Sequence, residues 1–85
     1  MRVYCLQVHT NTESDEMDNI HICESIETLK RVFDDSCNYH KKCAEYCLYW
    51  CPPEEDDVDG VCGGFEFENA DGSITRGRVF DYNVV

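Results

Sequence analysis

Five residues of metal-binding type fall within fifteen positions: Cys37, His40, Cys43, Cys47 and Cys51, spaced C-x2-H-x2-C-x3-C-x3-C. Thiolate and imidazole are the donors that zinc prefers, in tetrahedral sets of four. Side chains four apart on a helix share a face, so Cys43 with Cys47, or Cys47 with Cys51, could reach one ion. Cys43 and Cys51 would stand about 12 Å apart along a continuous helix, so both can ligate one ion only if the helix ends before Cys51. A second arrangement takes Cys37 and His40 from a break near 35–38 and Cys43 and Cys47 from the turns after it. A third folds a helix pair back on itself and brings Cys47 and Cys51 beside His21 and Cys23, with Cys62 as a further donor. The expectation is a structural zinc site, closed by four protein ligands and without chemistry of its own. The competing reading is a core face in which cysteines serve as small hydrophobes.

Other thiol chemistry is less well supported. A nucleophilic Cys needs nearby positive charge to lower its pKa, and only Lys41 and Lys42 are close in sequence. C-x-x-C, H-E-x-x-H, G-x-S-x-G and phosphate-loop patterns are absent, so the chain reads as a non-enzyme. The seven cysteines cannot all pair. Cys43-x3-Cys47 resembles the helical half of the cysteine-stabilised αβ toxins and defensins, but their C-x-C strand is missing. A thiol or redox protein stands as one alternative.

Charge is the second source of function. Eighteen Asp and Glu face seven Lys and Arg, a net charge of −11. Six acids and no base lie between Val3 and Leu29, and nine acids and no base between Cys43 and Thr75. Glu54, Glu55, Asp56, Asp57 and Asp59 form the densest run. It lacks the D-x-[DN]-x-[DN]-G spacing of a calcium loop. Such a field repels phosphate and argues against direct nucleic-acid binding. It suits a partner with a large basic groove, which an acidic protein can occupy at an electrostatically steered rate. The bland reading is that the acids serve solubility and solvated loops. With no apolar run long enough for a membrane span and no signal-like N-terminus, the expected setting is cytoplasmic.

The acidic run, the few bases and the small size together resemble, at the level of a class, the acidic anti-defence proteins of phages and mobile elements, including anti-CRISPR proteins. With a Cys/His site at His40–Cys51 the chain is similar to a zinc-containing anti-CRISPR acting on a Cas9-like effector. That resemblance implies a non-enzymatic inhibitor that blocks nucleic-acid loading on a basic host protein, in the host cytoplasm if phage-encoded; the charge reading, not the resemblance, makes Glu54, Glu55, Asp56, Asp57 and Asp59 the expected contact. The alternative is a metal-dependent structural or regulatory module.

The elements that must position these residues read as one domain over 1–85, of a size that often needs a metal, disulfide or partner for stability. Residues 2–9 are β-branched, aromatic and apolar, a strand. Residues 10–19 are polar and turn-forming, a loop, with a short extended piece at 20–22. Ser25 suits a helix N-cap, and Ile26, Leu29, Val32 and Phe33 follow helix spacing. The stripe resumes at His40, Cys43, Ala44, Cys47 and Trp50 and stops at Pro52-Pro53. One long helix over 25–50 or two short ones would fit, and two suit a small sheet better. On the second, Tyr39, Tyr46, Tyr49 and Trp50 read as packing residues. Residues 61–68 and 73–84 form a hairpin around Asn69-Ala70-Asp71-Gly72, and Gly77 suggests a bulge. The expected fold is α+β: a three-stranded, mainly antiparallel sheet in the order strand, helix or helix pair, strand, strand, with helix on one face.

Overall fold

The computed structural model describes residues 1–11, 16–56 and 60–84. It contains five strands and one helix: β1 (Arg2–Asn11), β2 (Glu16–Cys23), α1 (Ile26–Cys43), β3 (Ala44–Asp56), β4 (Gly60–Asn69) and β5 (Ile74–Asn83). The strands make one antiparallel sheet in the order β2-β1-β5-β4-β3. The three-stranded expectation is therefore corrected twice. Residues 16–23, expected to be mostly loop, pair with β1 from Asn11↔Glu16 to Tyr4↔Cys23. Glu16, Asp18 and Asn19 are poor strand formers, but the β1 edge supplies the ladder and overrides local preference. Residues 44–56, expected to be helical up to Trp50, form the opposite edge strand. Ala44-Glu-Tyr-Cys-Leu-Tyr-Trp-Cys51 is a short aromatic-rich run, and aromatic residues pack well on a pleated surface.

Ser25 caps α1 as its type suggests: extended at φ −138°, it accepts the Thr28 N–H at 3.2 Å. Leu29, Phe33 and Cys37 form the buried stripe of the helix. They meet Tyr4, Leu6, Val8, Cys23, Phe65, Phe67 and Val79, all from one face of the sheet. Phe33 crosses Phe65 edge-on at 5.5 Å, and Phe65 stacks on Phe67 at 5.2 Å. Gly77 lies in regular register between Val8 and Phe65, so it marks no bulge. A Cβ there would clash with the Cδ1–Cε1–Cζ edge of the Phe65 ring, which lies on the glycine.

The register shifts lie in β3 instead, at Ala44/Tyr46, Cys47/Tyr49 and Cys51/Glu54. Pro52 and Pro53 occupy the last of these. A strand edge tolerates them because no ladder bond is lost on the outer side. Opposite them Gly63 adopts φ 147°, where a Cβ would come within 2.9 Å of the Pro53 backbone.

Candidate functional site

The structure splits the five expected metal ligands: Cys37 and Cys47 share one cavity, His40 and Cys43 line another, and Cys51 stands apart. Cys37 faces the core from α1. His40, one turn later, lies 6.1 Å from the Phe65 ring and edge-on to Tyr39. Cys43 ends the helix and is exposed. Cys47 pairs with Phe67 on the helix-covered face, whereas Cys51 pairs with Gly64 on the opposite face. The register shift at Cys47/Tyr49 separates them, so the four-residue spacing that aligns two side chains on a helix fails to do so on this bulged strand. Among the described residues no three His, Cys, Asp or Glu side chains come together to hold an ion.

The buried thiols are also poorly placed for nucleophilic work. Burial pushes Cys37 up, while the Trp50 indole N–H at its sulfur and the Lys41 charge act the other way. Burial likewise raises Cys5 and Cys23. A thiol held protonated reacts slowly. Burial lowers the pKa of His40, which favours its neutral form.

The acidic run is split as well. Glu55 accepts the Tyr4 hydroxyl at 2.8 Å and the Arg2 guanidinium at 3.0 Å. Arg2 also bonds Asp81, whose other oxygen takes the Val61 N–H at 3.3 Å. Burial pushes the Asp81 carboxyl up, but the Arg2 and Val61 hydrogen bonds and the Arg2 charge outweigh it and leave the pKa below its usual value. Glu55 is thus tied into a knot joining β1, β3 and β5. Glu54 is exposed and makes no ion pair among the described residues. Asp56 closes β3, and Asp57 and Asp59 lie outside the described residues.

Two of the cavities beside α1 lie one on each side of it. One, of about 560 Å³, opens between the helix and β1–β2 and presents Thr10, His21, Asp35, Ser36, Tyr39 and His40. The other, of about 380 Å³, lies between the helix and β3 and holds Asp34, Cys37, Lys41, Cys47 and Trp50. Sequence reasoning missed the Arg2–Tyr4–Glu55–Asp81 knot. Its members are 51 to 79 positions apart along the chain in the bonds they make, and only the strand register reveals them.

No protein-family model, curated protein or solved structure matches this chain. Among the described residues no helix is long and apolar enough to cross a membrane.

Proposed function

We propose that the protein is a non-enzymatic inhibitor that binds a basic, nucleic-acid-handling protein, such as a CRISPR effector, through its carboxylates and so blocks nucleic-acid loading. One observation carries this reading. The helix is charge-balanced, with three acids and four bases, while the rest of the chain holds fifteen acids and only Arg2, Arg76 and Arg78. Arg2 is consumed by Glu55 and Asp81, and Arg76 by Glu66. The surplus negative charge therefore belongs to the strands and their connections, and internal pairing leaves most of it available to a cationic partner. Electrostatic attraction of this kind acts mainly on the association rate.

The test is binding to purified guide-free CRISPR effectors at low and moderate salt, with inhibition of DNA cleavage as the functional readout. Affinity should fall steeply with salt. Joint replacement of Glu54, Asp57 and Asp59 by Lys should slow association on the order of 10-fold or more. Glu55 is a poor probe, because reversing it breaks the internal knot. No binding at low salt, or binding indifferent to salt, would overturn the reading.

A further inference from the structure

The sheet face opposite α1 brings two thiols together across the β3–β4 ladder. Cys51 pairs with Gly64, and Cys62 lies two residues from Gly64 on β4. Side chains two apart on a strand share a face, so both sulfurs belong to the side away from the helix. Glu54 is the direct partner of Cys62 on that side, whereas the next pair, Glu55 and Val61, turns to the other, where Val61 is buried. Cys62 is exposed and Cys51 half-buried, so solvent reaches both.

Tyr49 joins the pair. Its ring leans over Gly64, with Cε1 3.6 Å from the position a Cβ on that glycine would take. Its hydroxyl hydrogen-bonds the Cys51 sulfur, and Cys62 is within electrostatic reach of it as well. The Cys51 sulfur otherwise meets the Pro52 carbonyl at 3.8 Å. Glu54 across from Cys62, and a net charge of −11, draw cations to this place.

The spacing selects the chemistry. Diagonal neighbours on antiparallel strands stand about 7–8 Å apart, with their Cβ atoms somewhat closer. A disulfide needs Cβ atoms about 3.5–4.5 Å apart, so a direct S–S bond would require the backbone to move. An ion bound to both sulfurs at about 2.3 Å lets them stand up to about 4.6 Å apart, which suits a diagonal pair. Zinc wants four donors, and among the described residues no third His, Cys, Asp or Glu closes on these two. Copper(I) is soft and closed-shell, and two thiolates in line satisfy it.

We propose that Cys51 and Cys62 hold one copper(I) ion as a two-coordinate dithiolate site, with Tyr49 positioning the Cys51 sulfur. Binding forms two Cu–S bonds and releases the two thiol protons to solvent; copper stays in its +1 state, and nothing is oxidised or reduced. The other thiol pair, Cys37 and Cys47, shares the cavity between α1 and β3, but Cys37 is a core residue, and burial disfavours the thiolate that a soft ion requires. Tyr49 is a positioning residue: its hydrogen bond fixes a ligand without touching the ion.

The experiment is anaerobic titration of the full reduced chain with copper(I), supplied as its acetonitrile complex, in competition with the chelator bicinchoninate. One copper per chain should be withdrawn from the chelator, and X-ray absorption of the loaded protein should show two sulfur neighbours. Cys51→Ser and Cys62→Ser should each weaken retention at least about 100-fold, more than the loss of an outer hydrogen bond does. Tyr49→Phe should weaken it about 10-fold. Cys47→Ser should leave it within about 2-fold, since that thiol lies on the other face. Cys62 is exposed, so its replacement should leave the circular dichroism spectrum unchanged and keep binding separate from folding. A chain that yields all its copper to the chelator overturns the proposal. So does retention lost with Cys47→Ser and kept with Cys62→Ser, or a loaded protein with three or four sulfur neighbours.

Discussion

Gly77 shows how a single residue's reason can lie in its neighbour across the sheet. It has no positive φ and no irregular pairing, and what requires glycine is the Phe65 ring resting on it. That ring is clamped by Phe33, Phe67 and His40, so it cannot move aside. Gly77→Ala should therefore cost about 1–3 kcal/mol in urea unfolding, as overpacking does. Adding Phe65→Leu should make the pair less costly than the sum of its parts by at least about 0.5 kcal/mol. His40 makes the second residue-scale prediction. Its pKa is lowered by burial from the ordinary 6.5, so the unfolded chain takes up its proton first as the medium is acidified. The stability it contributes is complete above 6.5 and is lost as pH falls through the lower folded value. Unfolding measured from pH 7.5 to 5 should show a downward slope that His40→Phe reduces, since phenylalanine keeps the ring against Phe65 without the charge. An unaltered slope would place the proton uptake elsewhere.

At the scale of elements, the sequence revealed those whose signals are local. The cap at Ser25, the stripe from Leu29 to Cys37, the first strand and the final hairpin follow from propensity, spacing and turn residues. The two edge strands did not. β2 exists because β1 offers it a ladder, and nothing in Glu16–Asn19 announces that. β3 was hidden by an ambiguity: a four-residue repeat of Cys43, Cys47 and Cys51 fits a helix face and also an unbulged strand face. The bulges then make it true of neither, which is why Cys47 and Cys51 part to opposite faces of the sheet. This has a direct chemical consequence. Cys43, Cys47 and Cys62 are exposed and Cys51 is half-buried, whereas Cys5, Cys23 and Cys37 are buried, and all seven are free thiols. A disulfide reagent such as dithionitrobenzoate should modify those four readily and the three buried ones only on unfolding. Added zinc should leave the fast-reacting number unchanged. Protection of three or four thiols by zinc would instead restore the closed metal site that the spacing suggested.

At the scale of the whole molecule, the question is how so much negative charge coexists with a compact fold. Folding brings the carboxylates into a body of 40 × 22 × 20 Å, closer together than in the unfolded chain, and the repulsion opposes folding. Salt acts on two opposing terms here. It screens that repulsion, and it screens the attractions of Arg2 with Glu55 and Asp81 and of Arg76 with Glu66. The attractions are few, and partly exposed pairs contribute at most about 1 kcal/mol each. The repulsion involves an excess of eleven charges, so it decides the sign. The melting temperature should rise with sodium chloride and level off near about 0.3 M, where the screening length has shrunk to several ångströms. A relief of about 1 kcal/mol corresponds to about 4–8 °C for a domain of this size. Acid gives the complementary check. Asp81, held below its usual pKa, adds stability that is present above about 3.8 and is lost as pH falls through its folded value. A melting temperature that stays flat or falls with salt would mean that the carboxylates are compensated within the molecule, and an internally neutralised surface has nothing to offer a cationic groove.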